Sequence, residues 1–211
     1  ARRATTVAAV YLQAANYEAA EAALANAPDS PRTAFMRGQL AEAQGDTAAA
    51  ERAYEAAAAS PEEAFGARMR LGAMALSAGD AAAAVTELER VRNNHEGDAE
   101  FVLLLVRAYL ANDDNDAAAA AVRSARAANP SDTRIRAAEA DIQMARGEYE
   151  EALATLTTLV EASPTDPTLQ ATLGDAARLS GNFERAATAY DAALAQNPRD
   201  SRSLNGKLVL A

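Results

Sequence analysis

A period of 34 residues runs through the chain, and it constrains the fold more than any other feature of the sequence. Small residues recur at this step, at Gly38, Gly72, Val106, Ala140 and Gly174. Glycines keep the same step a little further on, with Asp113 replacing one of them, at Gly45, Gly79, Gly147 and Gly181. A fixed period of this length predicts stacked copies of one supersecondary motif, each contacting mainly its neighbours.

Repeats counted from residues 1, 31, 65, 99, 133 and 167 agree at further positions. The twentieth residue is always alanine, at Ala20, Ala50, Ala84, Ala118, Ala152 and Ala186. The twenty-fourth is a larger apolar residue, at Leu24, Tyr54, Leu88, Val122, Leu156 and Tyr190. The last three repeats carry a late proline, at Pro130, Pro164 and Pro198. Alanine is common in this chain, so the assignment depends mainly on the larger residues and the prolines.

Each repeat predicts two helices. Apolar residues follow helical spacing in two runs separated by a glycine, for example at Leu173 and Ala177 and then at Phe183, Ala186, Ala187, Tyr190 and Ala193. Gly181 ends the first helix because glycine reaches the left-handed conformation without a Cβ penalty, and a proline stops the second. Small residues at the eighth and twentieth positions let the two helices approach closely, so stacking of the pairs makes the core.

Composition excludes several classes of function. A net charge of −10 opposes binding to nucleic acid or to an anionic membrane surface. The absence of cysteine excludes disulfides and thiolate chemistry, and no apolar run reaches the roughly 20 residues that cross a bilayer, which predicts no membrane insertion. Lys207 is the single lysine among 20 basic residues, which favours a GC-rich bacterial genome and leaves the compartment open.

Some repeats depart from the pattern. The first is four residues shorter, which predicts a short second helix, and Glu96 replaces the late proline of the third, which predicts a looser joint. Arg37 and Glu139 occupy a seventh position that is apolar elsewhere, so we expect them to be more exposed. The tail 201–211 is predicted as the first helix of a seventh repeat, either truncated or acting as a cap.

No motif in the sequence requires catalysis, a cofactor or a metal. His95, the single histidine, lies in a predicted joint with no nucleophile motif nearby and is interpreted as a solvated loop residue. The acidic turn at residues 112–117 lacks the glycine and closing glutamate of a calcium loop, so Asp114 or Asp116 is expected to cap a helix. The sequence therefore predicts a protein that is not an enzyme.

The stretch LGDAARLSGNFERAATAYDAALAQNP, with its small residue, Gly-x-aromatic, alanine, aromatic and proline, resembles the tetratricopeptide repeat. The resemblance implies an all-α, right-handed superhelical solenoid of antiparallel helix pairs. A single solenoid is expected over residues 1–211, with repeats 1–30, 31–64, 65–98, 99–132, 133–166 and 167–200. In this family the first helices line a concave groove that binds protein partners.

The groove-facing positions of the tetratricopeptide repeat family, transferred to this chain, predict a strip of apolar residues flanked by polar ones. The expected groove residues are Arg32, Phe35, Met36, Gln39, Met69, Arg70, Leu76, Leu103, Leu104, Arg107, Leu110 and Met144. Large apolar side chains in an open groove indicate a binding surface, whereas tighter curvature would bury them as core. The clamp with which some family members hold a C-terminal carboxylate is not expected, because among its positions only the charge of Arg70 is compatible.

Three hypotheses about function follow from the sequence. The leading one is a non-catalytic scaffold that binds a peptide or helix of a partner protein in the groove. The second is self-assembly, in which the incomplete last repeat of one copy docks on another copy. The third is a repeat segment of a larger bacterial envelope machine for exopolysaccharide export or pilus assembly.

Overall fold

A computed structural model describes residues 2–211, apart from the side chains of Arg2 and Asn94. Over this range the chain is all-α, as predicted, with thirteen α-helices, one short 3-10 helix and no strand. The α-helices are α1 (Arg2–Gln13), α2 (Tyr17–Ala25), α3 (Pro31–Gln44), α4 (Thr47–Ala58), α5 (Pro61–Ser77), α6 (Ala81–Glu89), α7 (Ala99–Ala111), α8 (Asn115–Ala128), α9 (Thr133–Ala145), α10 (Tyr149–Ala162), α11 (Pro167–Leu179), α12 (Phe183–Gln196) and α13 (Ser201–Leu210).

Contacts divide the chain into two compact halves, an N-terminal half up to residue 95 and a C-terminal half over residues 96–211. In the N-terminal half, α1 packs on α2, α3 on α4 and α5 on α6. In the C-terminal half, α7 packs on α8, α9 on α10 and α11 on α12, while α13 packs on α11 and α12. Every repeat is therefore a pair of helices joined by a short turn, and the single solenoid over the whole chain stays a prediction.

Close approach within each pair depends on the eighth and twenty-fourth positions. A methyl group added at Gly38 would lie 2.6 Å from Tyr54, and one added at Gly174 would lie 2.5 Å from Tyr190. Both tyrosines are completely buried. In these two repeats the first helix can therefore reach the second only because the eighth position, Gly38 or Gly174, lacks a side chain.

The turns between paired helices contain one residue in the left-handed conformation. Gly45 has φ +80°, and Asp113, which replaces a glycine, adopts the same region with φ +58°. Asp114 then caps α8 by accepting a hydrogen bond from the Ala117 amide at 3.1 Å, which confirms the predicted cap. In the first repeat this turn position is occupied by Ala15, with φ +52°.

We expect Ala15→Gly to raise the free energy of unfolding by about 1 kcal/mol. The left-handed conformation costs an alanine about 1 to 2 kcal/mol, and the greater freedom of unfolded glycine offsets part of that gain. Gly45→Ala, at the equivalent turn with no atom within 4 Å of the added methyl, should lower it by a similar amount. Urea unfolding measures both, and equal stabilities would contradict a strained turn at Ala15.

The short second helix of the first repeat is as the sequence predicts, whereas a looser joint after the third repeat stays a prediction. Helix α2 has 9 residues, against 14 in α12. Helix α6 also ends early, and the chain continues through a 3-10 helix at Arg92–Asn94 rather than through a proline turn. His95 lies in the turn after the 3-10 helix, as interpreted, but it is half-buried rather than fully solvated, because its ring stacks on Phe65 at 3.6 Å between centroids with an interplanar angle of 15°.

The two polar residues at the seventh position differ in their exposure. Arg37 is exposed and forms an ion pair with Asp29 at 2.8 Å, as expected for a side chain that points away from the core. Glu139 is only 24% exposed and accepts a hydrogen bond from Arg126 at 2.5 Å. At the same position Leu105 is buried, so both polar residues are more exposed than the apolar one, as expected.

Candidate functional site

A cavity of about 580 Å³ opens on the first helices of the N-terminal half. It is lined by residues of α1, α3 and α5, namely Ala9, Leu12, Gln13, Arg32, Phe35, Met36, Gln39, Glu42, Ala43 and Arg70. Five of these residues are among the expected groove residues, namely Arg32, Phe35, Met36, Gln39 and Arg70. The repeat register therefore brings together side chains that are separated by up to 38 positions in sequence.

The apolar wall of this cavity continues into the core. Phe35 is half-buried, and its ring lies 5.5 Å from that of Tyr54 in a tilted arrangement. It packs beside Gly66, where an added methyl group would lie 3.2 Å from the ring. Met36 is only 2% exposed and belongs to the core while also lining the cavity. The wall is thus held rigidly, which lowers the entropy cost of placing an apolar group against it.

Two arginines form the rim. Arg32 lies over the face of Phe35, with its guanidinium carbon 5.9 Å from the ring centroid, and forms an ion pair with Glu63 at 3.2 Å. Arg70 forms an ion pair with Glu42 at 3.5 Å. The arginine side chains are 55% and 48% exposed, and exposed ion pairs of this kind contribute only about 0 to 1 kcal/mol. Both guanidinium groups can therefore exchange their carboxylate for one on a ligand.

A buried hydroxyl positions the rim carboxylate. The Tyr54 hydroxyl donates a hydrogen bond to Glu42 Oε2 at 2.6 Å. Burial of the phenol, together with this hydrogen bond to a carboxylate, raises the pKa of Tyr54 well above its ordinary value. The hydroxyl therefore stays protonated and holds Glu42 at the edge of the cavity. Glu42 was not among the expected site residues, although it occupies a groove position.

Two other expected residues of this half lie away from the cavity lining. Met69 and Leu76 are both half-buried on α5. A shallower depression of about 360 Å³ on the same helix is lined by other residues, among them Ala73, Met74 and Ser77. Assignment of Met69 and Leu76 to a partner-binding strip stays a prediction.

The expected groove residues of the C-terminal half lie on α7 and α9. Arg107 is exposed, and the apolar members of the group are half-buried, namely Leu103, Leu104, Leu110 and Met144. Met144 packs against the buried cluster formed by α9, α10, α11 and α12. Their assignment to a partner-binding groove stays a prediction.

The last repeats carry a polar network that resembles the rim of the cavity. The Tyr190 hydroxyl donates to Asp175 Oδ1 at 2.5 Å, and Arg202 Nε donates to Asp175 Oδ2 at 2.5 Å. Arg178 Nε donates to the Tyr190 oxygen at 3.3 Å. Burial, and then the hydrogen bond to Asp175, raises the pKa of Tyr190 to about 12. Of these residues only Arg178 lay at a groove position noted from the sequence; Asp175 and Arg202 were missed.

Over residues 2–211, no group of three or more histidine, aspartate or glutamate side chains is arranged to hold a metal ion. Among the described helices, none is both long and apolar enough to span a bilayer.

Two family models described as tetratricopeptide repeat match the chain. One matches residues 35–99 and 103–167, and the other matches residues 143–207. The first alone covers more than half of the sequence, so the protein belongs to the tetratricopeptide repeat family. Proteins with this fold are generally non-catalytic scaffolds that bind other proteins.

Solved structures agree on the fold. A tetratricopeptide repeat protein from Parabacteroides merdae superposes with a TM-score of 0.84 at 14% identity, over 99% of this chain and 84% of that one. For Pseudomonas aeruginosa pilF the TM-score is 0.78 at 14% identity, over 99% and 96%. For the C-terminal part of a repeat protein from Cytophaga hutchinsonii it is 0.75 at 16% identity, over 96% and 86%. None of the curated proteins compared with the chain matches it.

Proposed function

We propose that the protein is a non-catalytic scaffold that holds a segment of a partner protein in the cavity on α1, α3 and α5. The observation that supports this proposal is the cavity of about 580 Å³, with an apolar wall and a rim of exposed arginines. Ligand pockets in proteins typically measure about 300 to 1,000 Å³. The space therefore suits one or two large side chains of an extended or helical segment.

The lining favours a particular chemistry in the bound segment. Leu12 and Phe35 offer apolar surface, and the buried Met36 packs behind them. Arg32 and Arg70 stand at the rim in weak, exposed ion pairs that a carboxylate can replace. The segment that fits best carries a large apolar residue with an aspartate or glutamate close to it.

An array of random dodecamer peptides tests the proposal. We expect the protein to bind peptides in which an aromatic or long aliphatic residue lies within one helical turn of an acidic one. Phe35→Ala should weaken binding of these peptides at least about tenfold, because a central apolar anchor carries most of the binding energy. Arg70→Glu should weaken the acidic peptides selectively, because it replaces attraction by repulsion.

Arg52→Glu is the matched control, since Arg52 is exposed on α4 and does not line the cavity. It should leave the set of bound peptides unchanged. Circular dichroism of Phe35→Ala checks that helicity is retained, because Phe35 also touches the core. An unchanged peptide profile for folded Phe35→Ala would reject the cavity as the binding site.

The envelope hypothesis is a finer proposal about where such a scaffold acts. The similarity to Pseudomonas aeruginosa pilF at 14% identity concerns the fold, so it leaves the pathway open. Genes for exopolysaccharide export or pilus assembly beside the encoding gene would support this role. Neighbouring genes with only cytosolic metabolic functions would count against it.

A further inference from the structure

A second cavity, of about 250 Å³, opens in the C-terminal half of the chain. It lies where α8, the second helix of the fourth repeat, packs on α9, the first helix of the fifth, and the turn into α10 also contributes to its lining. None of its lining residues is an expected groove residue. The cavity therefore shares no residue with the partner-binding cavity proposed for the N-terminal half.

The apolar part of this lining is held firmly by the core. Val122 and Ile142 both line the cavity, and each is only 3% exposed. Gln143 beside them accepts a hydrogen bond from the Thr155 hydroxyl at 3.0 Å, which leaves its amide nitrogen to donate. A ligand can therefore place a small apolar group against Val122 and Ile142 without first ordering loose side chains.

Two arginines of the lining already have acidic partners. Arg126 donates a hydrogen bond to Glu139 at 2.5 Å, and Arg146 forms an ion pair with Glu148 at 3.1 Å. Both glutamates line the cavity as well, so each balances the charge of one arginine. A further contact joins Arg146 to Asp116 at 3.6 Å, but this carboxylate is 91% exposed and lies outside the lining.

Arg123 is the third arginine of the lining, and its charge is not balanced. Among the described side chains, none forms an ion pair or a hydrogen bond with its guanidinium group. Three arginines and two glutamates leave the lining with one positive charge, although the whole chain carries −10. Guanidinium groups bind carboxylates through two parallel N–H donors. The lining therefore suits one negative charge attached to a small apolar group, whereas a phosphate ester brings nearly two charges.

The charges at this contact between repeats are not needed for packing. At the equivalent contact between the fifth and sixth repeats, Val160 and Leu173 occupy the positions of Arg126 and Glu139. Leu173 belongs to the buried cluster of that half, and Val160 packs against it. A chain that departs from its own repeat pattern at one contact commonly does so for a function.

We propose that this second cavity binds a small organic monocarboxylate, with its carboxylate on Arg123 and its apolar group on Val122 and Ile142. The volume of about 250 Å³ lies below the range of about 300 to 1,000 Å³ that holds drug-sized ligands, so the ligand is smaller than those. The contact is a charge-assisted pair next to a dry apolar surface, so both parts of the ligand contribute to its affinity.

Methyl NMR of the full chain tests the proposal, because the sequence contains only two isoleucines. Ile142 lines the cavity, whereas Ile135 is completely buried and does not line it. With labelled isoleucine δ1-methyl groups, isocaproate should shift the Ile142 signal in a saturable way and leave the Ile135 signal in place. Isocaproamide, which lacks the charge, and acetate, which lacks the larger apolar group, should each bind at least about tenfold more weakly.

Arg123→Gln should weaken isocaproate binding at least about tenfold, because it removes the charge that pairs with the carboxylate. Arg199→Gln is the matched control, since Arg199 is exposed in the turn between α12 and α13 and does not line the cavity. It should bind isocaproate like the unmodified chain, and circular dichroism should report equal helicity for both variants.

Three results would overturn the proposal. The first is an Ile142 signal that isocaproate does not move, or that isocaproamide moves equally well. The second is unchanged isocaproate binding by folded Arg123→Gln. The third is a shift of the Ile142 signal by inorganic phosphate at lower concentration than by isocaproate, because the cavity would then select charge rather than an apolar acid.

Discussion

Gly174→Ala should destabilise the C-terminal half by about 3 kcal/mol. The added methyl group would lie 2.5 Å from Tyr190 Cε1, well inside van der Waals contact. The ring has no room to retreat, because its other side lies against Gly206, where an added methyl group would be 2.3 Å from Tyr190 Cζ. Overpacking of a tight core costs about 1 to 3 kcal/mol when neighbours can adjust, and here neither backbone can move away easily.

Thermal and urea unfolding measure this effect against two controls. Gly97→Ala meets no atom within 4 Å and should leave stability within about 0.5 kcal/mol. Tyr190→Leu added to Gly174→Ala should recover part of the loss, because the chain itself pairs Ala140 with Leu156 at these positions. Stability of Gly174→Ala equal to that of Gly97→Ala would show that the helix pair is looser than the structure has it.

Alkaline solution should unfold the protein between pH 10 and pH 12. A tyrosine whose pKa is raised in the folded state contributes stability that is fully present below the unfolded value of about 10 and is lost as pH rises above it. Burial and the hydrogen bond to Asp175 raise the pKa of Tyr190 to about 12, so its contribution over this window is on the order of 3 kcal/mol. The raised pKa of Tyr54 adds to the loss in the same direction.

Helicity and tyrosinate absorbance, followed together through this pH range, measure the effect. We expect Tyr54 and Tyr190 to ionise as the helices unfold. Replacing both by phenylalanine removes the titrating hydroxyl and should move the loss of helicity to higher pH. Unfolding of this double variant at the same pH as the unmodified chain would assign the alkaline transition to other groups.

The repeat register predicted most of the fold because it records which side chains must be small. Gly38 and Gly174 indicated close helix approach, and Asp113 in place of a glycine indicated a left-handed turn residue, as the structure shows. Ala15 gave no such signal, since alanine is the commonest residue of the helices as well. The stack of His95 on Phe65 joins residues outside the repeat pattern, so no period could indicate it.

The sequence assigned several lining residues of the cavity to groove positions, but it did not indicate their hydrogen-bond and ion-pair partners. The register placed Phe35, Gln39 and Arg70 at groove positions, and in the structure all three line one cavity, while their role in binding a partner stays a prediction. The rim contacts of Glu42 depend on how long charged side chains share carboxylates and hydroxyls between neighbouring helices. Sequence spacing determines the backbone positions of such side chains. The positions of their charged groups depend on the three-dimensional arrangement of donors and acceptors.

Within each repeat, the size of the eighth-position residue on the first helix matches the size of the twenty-fourth-position residue on the second helix. This match limits how the gene can change by recombination. Gly174 faces Tyr190, and Gly72 faces Leu88, while other repeats hold Val106 with Val122 and Ala140 with Leu156. Exchange of a whole repeat keeps each small residue with its large one. A crossover inside the turn would join a first helix bearing valine to a second helix bearing tyrosine, and these two helices could not pack closely against each other. Duplication and shuffling are therefore expected to have their breakpoints between helix pairs, so that the pair is the unit of inheritance.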